Sequence, residues 1–158
     1  MLGSSNKFFF QDKEILDKHY LDLLYLLDIW KVPQPIKKLY IDSYLYFVTH
    51  PNEYDGATIV NDLTIIPGLD IWAMVHDYLY IVFNVAVNPK AKWLADLLYI
   101  KLMRYFKVSW GASWLVRFGG LFISTLPFMF REYVIKGKRY TKENKKDFTE
   151  LINSLNNL

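Results

Sequence analysis

Apolar positions recur at intervals of three and four through much of this chain, and that spacing predicts helices. In residues 11–31, Ile15, Leu16, Tyr20, Leu23, Leu24 and Leu27 fall into this rhythm. Asp12 and Glu14 stand in the first turn, where the helix dipole favours negative charge. Pro33 and Pro35 cannot continue the helix and end it. The next run, IKKLYIDSYLYFVTH, fits a helix by spacing, yet its Tyr, Ile and Val content also suits a strand. Asp55-Gly56 then marks a turn flanked by short β-like runs, so a small β element is expected near residues 54–66.

Beyond that loop, LDIWAMVHDYLYIVFN is long and unbroken and reads as a helix. After the VNP break, KAKWLADLLYIKLMRYF is another. TKENKKDFTELINSL closes the chain as a polar amphipathic helix, with Thr141 at its N-cap position. The expected fold is therefore mainly α, a single helical domain over 1–158. It comprises a first helix at 11–31, a core at 54–107, an apolar segment at 108–130, and a basic linker with a terminal helix at 131–158.

Composition narrows the chemistry. The chain has 158 residues, 53% of them hydrophobic and 18% aromatic, enough for a sizeable core. It has no cysteine, which removes disulfides, thiolate catalysis and cysteine-based zinc sites. A formal net charge of +3 is too small to point to nucleic acid, which is not an expected partner. No basic leader followed by a long apolar run opens the sequence, so export by a signal peptide is not expected. The most membrane-like stretch, residues 110–130, is interrupted by Arg117, Gly119-Gly120 and Pro127. Its uninterrupted part is shorter than the roughly 20 residues a spanning helix needs, and it reads as a buried or interfacial segment. The basic run after it, from Arg131 to Lys146, reads first as a solvated linker. Its functional alternative is contact with anionic lipid headgroups, nucleic acid or an acidic partner surface.

Within the apolar helix at AMVHDYLYIVF, His76 and Asp77 raise a chemical question. Polar groups in such surroundings need partners, because unsatisfied burial costs roughly 2–7 kcal/mol each. At about 100° per residue, His76 shares a face with Trp72, Tyr80 and Phe83, and Asp77 borders it. In the following helix, Asp96 points away from the cationic stripe of Lys90, Lys101 and Arg104, toward Ile100 and Met103. The short connection predicts antiparallel neighbours, an arrangement in which His76 and Asp96 meet. A carboxylate on one ring nitrogen fixes the histidine tautomer and frees the other nitrogen to take a proton from water. Asp77 could hold a hard cation such as calcium, and Asp62, from the preceding loop, could reach the same site.

His76-Asp77-x-x-Tyr80 followed by a helix carrying Ala95-Asp96 resembles the catalytic helix pair of phospholipases A2, most nearly the disulfide-free domain of parvovirus capsid proteins. The resemblance implies His76 as general base, oriented by Asp96 and Tyr80, with Asp77 on calcium. The glycine-rich calcium loop of that family has no counterpart, since only Ile66-Pro67-Gly68 precedes the helix. Calcium binding is therefore expected to be weak, with Asp77 and Asp62 as its side-chain ligands. Residues 56–107 are also similar to an uncharacterised phage and prophage family, with a T-D-L-A-S-I-P loop, an H-D-x-L-Y helix and an A-D helix. Asp62, Pro67, His76, Asp77, Leu79, Tyr80 and Asp96 match in order, whereas Asn61 and Thr64-Ile65 depart from the pattern.

These similarities imply a phage accessory or virion structural protein on a phospholipase-A2-like scaffold. Its expected partners are other virion proteins or membrane lipids, in the virion or the host cytoplasm. The alternatives are a metal-dependent lipid-ester hydrolase acting at a membrane and a non-enzymatic membrane-associated protein.

Overall fold

A short 3₁₀ segment, Ser4–Phe10, leads into a helical hairpin formed by α1, Lys13–Ile29, and α2, Gln34–Thr49. A 3₁₀ turn, Pro51–Glu53, follows, and then the helices α3, Ile71–Val82, and α4, Pro89–Tyr105. The computed structural model describes residues 4–54, 66, 69, 71–82, 89–105 and 153. The fold is mainly helical. Among the described residues there is one isolated antiparallel bridge, Ile66 to Leu69, closed by a Leu69 N–H to Ile66 carbonyl bond of 2.9 Å, and the β element expected near 54–66 falls almost wholly outside them. Residues 55–65, the apolar segment at 110–130 and the basic linker lie outside the described residues. Among the described residues no helix is long and apolar enough to cross a membrane.

Two compact units divide the chain, Met1–Tyr78 and Leu79–Leu158, with the boundary inside α3. In the first, α1 and α2 run antiparallel. Lys37, near the start of α2, binds Asp28 at the end of α1 at 2.5 Å. At the other end, the Tyr44 hydroxyl donates to the Leu16 carbonyl at 2.7 Å. The ambiguity over α2 resolves because Ile36, Leu39, Tyr40, Tyr44 and Phe47 are all buried, a spacing that only a helix brings to one side. Pro35 sits in its first turn, where the missing N–H costs nothing. Ser43, buried on the same side, satisfies its hydroxyl on the Leu39 carbonyl one turn back.

The turn between the two helices is specified without glycine. Lys31 takes a left-handed conformation, φ 51°. Its N–H binds the Asp28 carbonyl and the Val32 N–H binds the Leu27 carbonyl, both at 3.0 Å. This is the Schellman arrangement, and the buried side chains of Val32 and Leu27 supply its usual apolar accompaniment.

An aromatic cluster holds the leading 3₁₀ segment to the hairpin. Phe9 lies 5.4 Å from Tyr44, 5.6 Å from Phe47 and 5.1 Å from Tyr54, ring centre to ring centre. Such pairs add roughly 0.5–1.5 kcal/mol each beyond their area burial. The first half of α3 joins this unit through Tyr78, whose ring meets that of Tyr46 edge-on at 5.5 Å. In the second unit, Ala95, Leu98, Ile100 and Leu102 of α4 are buried, and Trp93 is exposed.

Candidate functional site

Helix α3 is covered on nearly every side. Ile71, Ala73, Met74, Val75 and Leu79 are all buried, so the apolar sequence around His76 and Asp77 reflects a buried helix. Both polar side chains are partly covered, His76 at 24% and Asp77 at 15% of full exposure. Asp77 stands one turn after Ala73 and Met74, both buried, and is the more enclosed of the two. His76 Nδ1 lies 3.7 Å from Asp77 Oδ1, beyond hydrogen-bond length but close enough for electrostatic attraction when the ring is protonated.

Tyr78, the next residue, is half-buried. Burial is the main force that raises its pKa above the ordinary value near 10, with help from the Asp42 carboxylate and partial opposition from Lys38. Its ring partner Tyr46 donates to Glu53 at 2.6 Å. The Tyr46 hydroxyl is pushed up to about 12, again by desolvation first and by the Glu53 bond second.

In the second unit, Tyr80 and Asp96 come together. The Tyr80 hydroxyl donates to Asp96 Oδ1 at 2.5 Å, tying the last turn of α3 to α4. The other carboxylate oxygen, Oδ2, accepts from Lys92 Nζ at 2.7 Å. Lys92 is 2% exposed and Asp96 is 5% exposed, so a full ion pair sits within the buried side of α4. The same ammonium lies 5.8 Å from the centre of the Tyr80 ring, within reach of a cation–π attraction. Tyrosine, lysine and aspartate thus meet in a buried triangle in which the lysine charge lies against the carboxylate.

Sequence reasoning missed Lys92. It weighed Lys90, Lys101 and Arg104 and found Asp96 remote from them, while Lys92, one turn before Asp96, provides the partner. The i,i+4 spacing was the available signal. A lysine N-terminal to its acid is the poorer order on a helix, so spacing alone carried little weight.

Asp62 lies outside the described residues. Calcium takes six to eight oxygens, drawn mostly from carboxylates and carbonyls. Among the described residues no group of three or more acidic or histidine side chains is disposed to hold a metal ion. The two histidines outside the motif have structural settings. His50 stacks on Tyr46 at 4.3 Å, and His19 packs on Phe8 at 5.1 Å.

Compared with models of known protein families, with curated proteins and with solved structures, the chain matches none.

Proposed function

We propose that this chain is a non-enzymatic accessory or structural protein of a phage particle, built on a helix pair of the phospholipase-A2 type. The observation that supports the scaffold is the Tyr80–Asp96 hydrogen bond, which links the tyrosine and aspartate that the resemblance implies act together. The ordered match of Asp62, Pro67, His76, Asp77, Leu79, Tyr80 and Asp96 to the phage family supports the setting. Lys92 favours a packing role over a catalytic one. A carboxylate already neutralised by a buried ammonium on its own helix serves as a rivet between elements. Density-gradient purification of particles tests the setting. A virion component travels with the particles at a constant ratio to the capsid protein and resists a salt wash. A chain that stays wholly in the particle-free supernatant is not one.

A second reading, a metal-dependent lipid-ester hydrolase, draws on the adjacency of His76 and Asp77. In it His76 would take a proton from the attacking water, Asp77 and Asp62 would hold calcium, which would polarise the ester oxygen, and chelation would abolish turnover.

A further inference from the structure

Helix α1 carries two apolar stripes on opposite sides. Leu16, Leu23 and Leu27 form one, and all three are buried in the hairpin. Leu21, Tyr25 and Ile29 form the other, at successive intervals of four, and they remain 64%, 68% and 54% exposed. Ile15, at 41%, flanks this second row toward the N-terminus. Isolated exposed apolar residues are ordinary, but a row of large ones on a folded helix marks a binding face.

Charge on this face is nearly balanced, and its arrangement is what selects the occupant. Lys13 pairs with Asp17, and Lys37 with Asp28. That leaves Glu14, Lys18 and Asp22 on the exposed half of α1. Glu14 and Lys18 form no ion pair among the described residues. Asp22 lies 3.7 Å from the His19 ring nitrogen, beyond hydrogen-bond length. The three stand as acid, base, acid at intervals of four, a pattern that a second copy turned end over end can complement.

The register of that complement follows from helix geometry, about 100° and about 1.5 Å per residue. A two-fold axis level with residue 20 sets Lys18 across from Asp22 of the second copy, and Asp22 across from its Lys18. The same axis lays Leu21 beside Leu21 of the second copy and Tyr25 beside its Ile15. Glu14 then falls by the Lys37–Asp28 pair, whose charges cancel. Like other two-fold contacts, this one uses a single self-complementary patch twice. Nucleic acid and anionic lipid would instead set further negative charge against Glu14 and Asp22.

We infer that the Ile15–Leu21–Tyr25 face of α1 joins two copies of this chain as an antiparallel helix pair, with Leu21 near the axis and two reciprocal Lys18–Asp22 contacts. One helix face is smaller than the roughly 800 Å² per partner of a standard interface, so the dimer is weak. The inference concerns the first unit alone and holds whether or not the chain is a virion component.

Sedimentation velocity of the full chain at about 0.05 M salt should show monomer and dimer in exchange, with a Kd on the order of 100 μM. Lys18→Asp opposes acid to acid and Asp22→Lys opposes base to base, so each variant alone should dimerise at least tenfold more weakly. An equimolar mixture of the two should form a heterodimer as tightly as wild type, and a chain carrying both substitutions should recover the homodimer. Leu21→Gln with Tyr25→Gln should weaken association at least tenfold, whereas Leu45→Gln, exposed on α2, should leave it unchanged. All five sites are exposed, so circular dichroism should show the wild-type helix content in every variant. A chain that stays monomeric up to about 1 mM, or α1 variants that dimerise as wild type does, would overturn the inference. So would a mixture of the two charge variants that associates no better than either alone. Binding of anionic vesicles or nucleic acid that is lost in Leu21→Gln with Tyr25→Gln would assign the face to that occupant and overturn it too.

Discussion

Replacing Lys92 by Met keeps most of the side chain's length and removes its charge. Asp96, 5% exposed, then keeps the Tyr80 hydroxyl at 2.5 Å and loses the ammonium on its other oxygen. Removing one partner of a buried ion pair costs about 3–5 kcal/mol, because the remaining charge stays desolvated. For a chain of this length each kcal/mol shifts the melting temperature by about 2–4 °C, so a fall of roughly 6–20 °C is expected. The companion variant Lys92→Met with Asp96→Leu removes both charges and leaves only the Tyr80 hydroxyl to find a new acceptor, at a cost of about 1–3 kcal/mol. The double variant should therefore be more stable than Lys92→Met alone, by an amount on the order of 2 kcal/mol. Chemical denaturation of wild type, both single variants and the double variant closes the cycle. An unchanged midpoint for Lys92→Met, or strictly additive effects, would refute the buried triangle.

Three further outcomes follow from the first unit. Tyr44→Phe should cost about 0.5–1.5 kcal/mol, the net worth of one hydrogen bond, with the ring packing retained; a loss far above this in denaturation would contradict the geometry at Leu16. The Tyr44 hydroxyl is held above its ordinary pKa of 10.0, by burial first and by the Asp17 and Asp22 charges second. Its stabilising contribution is therefore complete below about pH 10 and is lost as pH rises through the higher folded value. Tyrosinate absorbance should accordingly show a late class of tyrosines that ionise with loss of helix; all twelve titrating together near pH 10 with the helices intact would exclude this. Lys31→Gly relieves a left-handed residue at a cost in unfolded-chain entropy, so its melting temperature should match or slightly exceed wild type, whereas Lys31→Val should lose about 1 kcal/mol or more.

Periodicity made α1 legible, unbroken length pointed to α3 and α4, and the prolines at 33 and 35 marked the end of α1, whereas α2 stayed open between helix and strand until the burial of Ile36, Leu39, Tyr40, Tyr44 and Phe47 decided it. The leading 3₁₀ segment escaped, because three consecutive phenylalanines at 8–10 carry no period; only folding shows that Phe8 and Phe9 go inside while Phe10 stays out. The Schellman turn escaped because its left-handed position holds lysine where glycine is the usual signal. At the site, the reading that Asp96 needs a partner was sound chemistry applied to an incomplete set of cations. Burial decides which lysine that is: Lys92 lies on the covered side of α4, a property that its charge alone conceals. The relative cover of His76 and Asp77 depended on neighbours one turn back, which a single-face projection of an all-round apolar helix does not rank.

Fatty-acid release from phospholipid vesicles tests most directly the proposal that the helix pair serves as a scaffold and does not catalyse ester cleavage. Purified chain is incubated with mixed zwitterionic and anionic vesicles over a calcium series, alongside His76→Ala and a chelator control. The expected result is no measurable release at micromolar calcium and, at most, slow release at millimolar calcium. Robust cleavage at micromolar calcium that disappears both with chelator and in His76→Ala would contradict the claim and establish the hydrolase reading.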